Sequence, residues 1–338
     1  MQILIVRVGA MGDVLHALPA VAALKRARPQ WRVDWAVDPR WASLLIGDDE
    51  RGPAVDMVHL VLAKEWSKSP LAPGTLRSVL TLRRRLREEH YDLVVDMQGT
   101  LRSSVIGHMA APLDFAGYAD PRESLAGMLY KRKIVRRGAH VVEQGAALLG
   151  DACGVALEPG AVEIPRAQWA EVWAETEAVV SRPMAVMTAG GGWGAKQWPA
   201  EHYGALAIEL KRMGLDVVVN APRADDKVAA RVVEASGGAA RAVACNVAGL
   251  IALMRRADLL VGGDSGPMHL AAAMGVPVVA LFGPTSPERN GPWGPGAKRA
   301  MRDAASVTSY KRTHATEAGL ANISVEQVIQ AVRDLIVR

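Results

Sequence analysis

The sequence contains few cysteines and few phenylalanines, and both scarcities exclude classes of protein. Only two of its 338 residues are cysteine, Cys153 and Cys245. Two cysteines cannot build a disulfide framework or a four-ligand zinc site, so we expect buried thiols in a reducing compartment. With only two phenylalanines and no RNP-like or zinc-finger pattern, nucleic acid is a weak candidate partner.

Long apolar runs are also missing. The N-terminal run Ile3–Val6 ends at Arg7 and is too short for a signal peptide. The stretch from Leu270 to Gly283 contains Pro277 and falls short of a bilayer span. These features predict a cytoplasmic protein.

Two common nucleotide-binding motifs are absent. Gly9 and Gly12 lack the third glycine and the spacing of the Rossmann fingerprint, which makes a dinucleotide site weak. The glycine-rich segment that ends in Lys196 continues with Gln197 rather than Ser or Thr, so a nucleoside triphosphatase is disfavoured.

Basic residues are concentrated in one part of the chain. Between Lys64 and Arg137 there are fourteen Lys or Arg against eight Asp or Glu, a surplus of six, while the whole chain carries +5. This surplus indicates an anionic partner, and an anionic lipid surface or a phosphorylated sugar fits it better than nucleic acid.

Strand patterns alternate with helix patterns along both halves of the chain, which predicts an α/β fold of two doubly wound, Rossmann-like domains facing a cleft. We expect a first domain over residues 1–158 and a linker over 159–168, where Pro and Gly cluster. A second domain should follow over 169–320, and a C-terminal helix over 321–338.

The stretch from Asp258 to Thr285 organises the second half. It predicts a buried strand, a Gly262-Gly263 bend, a short helix with Pro267 in its first turn, and a second strand. Such a helix start at the carboxyl edge of a sheet suits a diphosphate. An ordinary βαβ unit with a capped helix would show the same spacing.

Asp13 lies at the predicted turn from the first strand into the first helix. It could be a carboxylate that interacts with the helix dipole, or a general base at the edge of the domain. Lys196, after the glycines of the 189–199 loop, could hold a diphosphate or be a surface lysine. Asp225 or Asp226 could bind ribose hydroxyls or cap the helix that follows.

Four segments resemble the ADP-heptose:lipopolysaccharide heptosyltransferases, inverting glycosyltransferases of the GT-B type. They are G-G-D-S-G-P-M-H-L-A-A-A-M-G-V-P with L-F-G-P-T-S-P, M-G-D-V-L-H-A-L-P, D-x-Q-G-x-x-x-S, and G-x-K-x-W-P. They occur in the family's order from Met1 to about Pro295. The resemblance implies the GT-B fold, with the C-terminal helix packing back on the first domain.

The resemblance also implies roles for particular residues. Asp13 would be the catalytic base. The donor would be bound by Thr188, Gly192, Lys196, Asp225, Asp264, Ser265, Gly266, Met268, His269 and Thr285. The anionic acceptor would be bound by Lys64, Lys68, Gln98, Arg122, Lys131, Arg132 and Lys133.

The implied activity is transfer of L-glycero-D-manno-heptose from ADP-heptose to the Kdo of the lipopolysaccharide inner core, as in heptosyltransferase I. No cofactor or metal is expected, since no D-x-D pair stands where a donor-chelating one would. Kdo-lipid A or a related glycolipid would be the acceptor, with peripheral contact at the cytoplasmic face of the inner membrane. Heptosyltransferase II, a GT-B-like epimerase or hydrolase, and a non-catalytic nucleotide-sugar-binding module are the alternatives.

Overall fold

The computed structural model describes residues 1–48, 52–178, 181–190, 193–309, 313 and 315–336. The chain divides into two compact units, Met1–Pro165 and Arg166–Arg338. The division falls inside the segment 159–168 that was predicted as a linker. Each unit contains one six-stranded parallel sheet with helices, which confirms the predicted α/β class with two doubly wound sheets.

The sheet of the first unit has the strand order β3-β2-β1-β4-β5-β6. Its central strand is fully buried from Ile3 to Val6, as expected for a parallel strand covered on both faces. The strands are β1 Gln2–Val6, β2 Arg32–Val37, β3 Met57–Leu60, β4 Leu93–Asp96, β5 Asp114–Tyr118 and β6 Arg132–Ile134.

Among the described residues of the first unit, five α-helices flank this sheet: α1 Met11–Ala27, α2 Ala63–Lys68, α3 Pro73–Glu88, α4 Leu101–Met109 and α5 Val141–Cys153. Short 3-10 turns lie at Pro39–Leu44 and Ser124–Met128. Helix α1 packs against α5, whereas α3 lies beside α4, and α4 beside the Ser124–Met128 turn. Helix α1 continues through Pro19, although a proline inside a helix usually kinks or breaks it.

The second sheet has the equivalent order β12-β11-β10-β7-β8-β9. Its strands are β7 Met184–Thr188, β8 Asp216–Ala221, β9 Ala240–Ala244, β10 Leu259–Gly263, β11 Val278–Phe282 and β12 Lys298–Arg302. The helices of this unit are α6 Gln168–Trp173, α7 Ala200–Arg212, α8 Lys227–Ala235, α9 Val247–Met254, α10 Gly266–Ala273, α11 Pro287–Asn290, α12 Ala318–Asn322 and α13 Val325–Ile336. A π-helical turn at Ala174–Ala178 follows α6, and a 3-10 turn lies at Gly194–Lys196.

The C-terminal helix α13 belongs to the second unit, and its packing on the first domain stays a prediction. It lies against α7, and its Val328 and Val332 are buried in the core of the second unit. Just before it, the Trp198 indole donates a hydrogen bond to the backbone oxygen of Ile323, at 2.9 Å. Part of the apolar face of α13 is therefore buried in the core of the second unit.

In both sheets the strand order reverses direction next to the first strand of the unit. The loops after β1 and β4 therefore leave the same sheet edge side by side, as do the loops after β7 and β10. Such switch points are where open α/β sheets bind ligands. Among the residues that the structure describes, no helix is long and apolar enough to cross a membrane.

Candidate functional site

Asp13 lies in the first turn of α1, directly after the loop that leaves β1. Its Oδ1 is 2.9 Å from Nη2 of Arg7, and its Oδ2 accepts a hydrogen bond from the Ala10 N–H at 3.0 Å. The side chain of Asp13 is 37% exposed. A carboxylate accepts up to about four hydrogen bonds, so Asp13 fixes the helix start and still has acceptor sites open to a hydroxyl.

Arg7 is a member of this site that sequence reasoning missed. Its guanidinium contacts Asp13 and also donates a hydrogen bond to the backbone oxygen of Met97, directly after β4. Arg7 thus joins the two loops of the switch point and orients the carboxylate. The available signal was a lone arginine immediately after a buried strand, at the edge where ligands bind.

Gln98 lies just after the carboxyl end of β4, as predicted, but its side chain makes hydrogen bonds to other residues of the protein. Its Oε1 accepts hydrogen bonds from the N–H groups of Val8 and Gly9, at 2.8 and 3.3 Å, and its Nε2 donates to Thr100. Gln98 therefore holds the loop that carries Asp13.

The buried Asp96 anchors the second loop of this switch point. It accepts hydrogen bonds from the N–H groups of Gln98 and Gly99 and from the hydroxyls of Ser103 and Tyr130, at 2.7 to 3.0 Å. Burial raises the pKa of Asp96, although these donors oppose the rise. Asp96 is shielded from solvent, so its role is to shape the loop.

The predicted acceptor-binding cations do not form one cluster. Lys64 and Lys68 are exposed on the short helix α2. Arg122 is exposed in a loop tied to the β4 edge, because the N–H of Glu123 donates to the backbone oxygen of Gly99 at 2.9 Å.

Two of the cations around β6 reach the other end of the sheet, which corrects the prediction of a single cradle. Lys131 donates to the backbone oxygen of Leu113, and Arg132 pairs with Asp114 at the amino end of β5. Strand β5 has five residues, so its two ends lie roughly 13 Å apart. Arg132 is paired with Ala116 in the middle of β5, and the side chains of Lys131 and Arg132 run from there toward the amino end of the sheet. Lys133, within β6, is exposed.

Arg136, which was not among the predicted residues, does lie at the carboxyl edge. Its guanidinium stacks over the ring of Tyr118, 3.8 Å from the centroid, and its Nε is 3.1 Å from an Asp120 carboxylate oxygen. Its side chain is 28% exposed. Arginine offers a planar fork that matches carboxylate and phosphate groups, so Arg136 is better placed for an anionic acceptor than Lys131 or Arg132.

In the second unit, three predicted donor-binding residues contact the buried carboxylate of a fourth. Asp264, directly after β10, has its Oδ2 2.6 Å from Nζ of Lys196 and accepts the Thr285 hydroxyl at 2.7 Å. Its Oδ1 lies 3.0 Å from Nε2 of His269. The ammonium of Lys196 also lies 4.9 Å from the centroid of the Trp193 ring.

The electrostatics keep Asp264 ionised. Burial alone raises the pKa of this carboxyl, but the hydrogen bond and charge of His269, followed by the charge of Lys196, outweigh it and hold the pKa well below its usual range. The carboxylate therefore fixes the rotamer of Lys196 at the start of α10, and it repels rather than binds a phosphate.

The start of α10 presents unused hydrogen-bonding groups. The first backbone hydrogen bond of the helix runs from the His269 N–H to the Ser265 oxygen, so the N–H groups of Gly266 and Met268 have no partner within the helix. The side chain of Met268 is fully buried, and only its backbone can meet a ligand. Within the described part of the chain, the buried hydroxyl oxygens of Thr188 and Ser265 also lack a hydrogen-bond partner.

The remaining donor-binding predictions differ in outcome. Asp226 caps α8 through the N–H groups of Val228 and Ala229, whereas Asp225 is 79% exposed and lies 3.4 Å from Arg223. Of the two residues, Asp225 is the more exposed. Gly192 lies outside the described residues.

A cavity of about 420 Å³ in the second unit lies away from these residues. It is lined by Arg166, Glu171, Glu175, Arg182, Arg255 and Arg256, near the amino ends of β7 and β10. Glu171 already pairs with Arg255 and Arg256 at 3.0 and 2.6 Å. The side chains that line the cavity thus form a structural ion-pair network. It lies at the amino ends of the strands, opposite to the predicted donor site at their carboxyl ends.

Comparisons with known proteins point to one family. The profile of glycosyltransferase family 9 (heptosyltransferase) matches residues 79–318. The chain is 31% identical to lipopolysaccharide heptosyltransferase 1 of Pseudomonas aeruginosa, over 93% of this chain and 87% of that protein. It is 27% identical to lipopolysaccharide heptosyltransferase 2 of Salmonella typhimurium, over 99% of both. The solved structure of E. coli heptosyltransferase WaaC with ADP matches with a TM-score of 0.79 at 24% identity, over 99% of each chain.

Proposed function

The chain belongs to glycosyltransferase family 9, and on that basis we propose that it transfers L-glycero-D-manno-heptose from ADP-heptose to the Kdo of the lipopolysaccharide inner core. The observation that carries the proposal is the similarity, over nearly the whole chain, to a heptosyltransferase 1. Its doubly wound units are those of the GT-B fold that the resemblance implied.

We infer that the second unit holds the ADP moiety. The Lys196 ammonium and the free N–H groups of Gly266 and Met268 supply positive charge where the diphosphate would leave. The unpaired hydroxyls of Thr188 and Ser265 can donate hydrogen bonds to oxygen atoms of ADP-heptose. Asp264 positions Lys196 and can accept a hydrogen bond from a sugar hydroxyl.

We infer that Asp13 is the general base. As the bond from the anomeric carbon to the phosphate oxygen breaks, the acceptor hydroxyl attacks the opposite face of that carbon and its proton passes to Asp13. The products are the inverted glycoside and ADP. A carboxylate is a weak base for a hydroxyl, but it suffices when the proton leaves late, after positive charge has developed on the sugar.

We propose that the acceptor is anionic and lipid-linked, and that the protein meets it at the cytoplasmic face of the inner membrane. Lys64, Lys68 and Arg122 lie exposed in the first unit, and Arg136 lies at the edge that carries Asp13. No metal is needed in this mechanism, because Lys196 and the start of α10 take the part of a cation. Turnover should therefore persist in EDTA.

The decisive experiment incubates the protein with ADP-heptose and a panel of acceptors. We expect heptosyl transfer to Kdo-terminated acceptors and little to heptose-terminated ones. Preferred transfer to the latter would favour heptosyltransferase II, which the similarity to heptosyltransferase 2 supports as the second candidate. ADP-heptose turnover without any acceptor would favour an epimerase or hydrolase, and ADP-heptose binding without turnover would indicate a binding module.

A further inference from the structure

Exposed large apolar side chains are concentrated in one stretch of the sequence within the first unit. Of fifteen such residues in the described part of the chain, ten lie between Leu60 and Val135. Scattered exposed apolar residues are ordinary, but a concentrated group on one surface marks an interaction site.

Helix α3 shows the clearest case. Leu82 and Leu86 face the core, whereas Leu76 and Leu80 are 50% and 59% exposed. Residues three, four and seven apart share a helix face, so Arg83 lies on the same outward face as the two exposed leucines. The outward face of α3 thus carries a stripe of apolar and basic side chains. A purely polar face would be enough to keep the helix in contact with water.

The segment before α3 extends this stripe. Leu71 is 84% exposed between α2 and α3. The Trp66 indole of α2 donates a hydrogen bond to Ser78 of α3 at 3.1 Å, which joins the two helices. We call residues 63–88 the α2–α3 surface.

The charge of the α2–α3 surface is strongly positive. It contains seven Lys or Arg and two Glu, a surplus of five. Arg77, Arg83 and Arg85 have no carboxylate partner within the described part of the chain, while Arg84 lies 3.6 Å from Glu88. Unpaired arginines beside exposed leucines complement a surface of phosphate groups above apolar chains.

The α2–α3 surface adjoins the carboxyl edge that carries Asp13. Helix α2 begins three residues after β3 ends, and β3 pairs with β2, which pairs with β1, so α2 starts at the carboxyl edge of this sheet. A lipid-linked acceptor held at this surface would therefore present its sugar near the proposed base.

We propose that the α2–α3 surface docks on an anionic lipid bilayer, with Leu71, Leu76 and Leu80 entering the headgroup region. The proposal deepens the proposed function, and rests on it only in taking the acceptor to be lipid-linked. Exposed leucines distinguish this surface from a nucleic-acid site, which would combine its basic residues with stacking aromatic side chains.

Vesicle binding of the full chain tests the charges. We expect cosedimentation with phosphatidylglycerol-containing vesicles but not with pure phosphatidylcholine. The double variant Arg77→Glu/Arg83→Glu should bind at least about 30-fold more weakly, since each basic residue near the surface contributes roughly 1 kcal/mol. The control Lys211→Glu/Arg333→Glu changes two exposed residues of the second unit by the same charge and should bind like the wild type.

A second pair tests the leucines without changing charge. Leu76→Gln/Leu80→Gln should lose at least tenfold in vesicle affinity, whereas Val172→Gln, at a 49% exposed position of α6, should lose none. Heptosyl transfer to an acceptor without acyl chains should stay unchanged in the leucine variant, while transfer to an acceptor embedded in vesicles should fall.

Unchanged vesicle binding by both variant pairs, equal loss in the controls, or binding to duplex DNA in place of vesicles would overturn the proposal. Absence of transfer with any acceptor would refute the proposed function and leave the vesicle result standing.

Discussion

At the residue scale, Asp13 is held by two different partners, and the carboxylate cannot rotate freely. Arg7 fixes one oxygen and the Ala10 N–H fixes the other. Asp13→Asn preserves the shape but removes the base, so we expect turnover to fall by about 10²- to 10⁴-fold. The affinity for ADP-heptose should stay within about twofold, and steady-state kinetics with calorimetric donor titration would measure both.

Asp151→Asn is the matched control for that variant. Asp151 is 41% exposed and pairs with Arg137 at 2.6 Å, much as Asp13 is 37% exposed and pairs with Arg7. The control should retain full turnover. If Asp13→Asn also retained it, Asp13 would be only a helix-start residue.

Asp264 allows a test through pH. Its pKa is held below the usual value by His269 and Lys196 against the effect of burial, so the folded state binds a proton less readily than the unfolded state. The low pKa of Asp264 therefore stabilises the folded state. This stabilisation is fully present above the pKa that the carboxyl has in the unfolded state, near 4, and is lost as the pH falls through the lower pKa of the folded state. Asp264→Asn should therefore cost about 3 kcal/mol at pH 7, and its difference from the wild type should narrow toward pH 3.

Urea unfolding at pH 7, 5 and 3 measures this effect. Asp225→Asn is the control, because Asp225 is 79% exposed and should change stability by less than about 0.5 kcal/mol at any pH. A constant difference between wild type and Asp264→Asn across this range would show that the low pKa does not contribute to stability.

At the scale of the element, the β10–α10 turn depends on Gly263, which lets the neighbouring loop approach. A Cβ at Gly263 would lie 2.5 Å from the backbone oxygen of Lys196, so Gly263→Ala must displace the loop that carries this lysine. We expect a loss of about 2 kcal/mol in unfolding free energy and weaker ADP binding. Gly74→Ala in α3, where a Cβ meets nothing within 4 Å, should instead stabilise by about 0.5–1 kcal/mol. Equal stabilities of the two variants in urea unfolding would contradict this account.

The elements that could be predicted from sequence are those with local signals. Strands β1, β4 and β10 are buried apolar runs, and the helix after Gly263 has Pro267 in its first turn. The short edge strand β6 contains Arg132 and Lys133, two of its three residues, and its composition resembles an exposed helix end. The roles of Arg7 and Gln98 depend on neighbours about 90 positions away, which a single sequence does not reveal.

At the scale of the whole molecule, the basic character is a local property. The first unit contains 21 Lys or Arg against 19 Asp or Glu, a net charge of +2, and the second contains 19 against 16, a net charge of +3. The surplus of six between Lys64 and Arg137 is therefore offset elsewhere in the first unit. A local patch on a nearly balanced unit fits contact with an anionic surface better than long-range steering, because charges separated by more than about 10 Å are screened at physiological salt.

The two units repeat one topology but carry different functional groups at their switch points. This difference predicts which residues ADP protects from hydrogen exchange. The β7–β10 edge has Lys196 and the free N–H groups of α10, whereas the β1–β4 edge has the carboxylate of Asp13. In hydrogen exchange of the full chain, ADP should give its largest protection at residues 193–197 and 264–268. Lys196→Ala should abolish most of that protection, since charge-assisted hydrogen bonds contribute about 1.5–3 kcal/mol. Asp13→Asn should leave it intact. Protection that was largest at residues 7–13 would instead place the nucleotide on the first unit, and the roles assigned to the two edges would have to be exchanged.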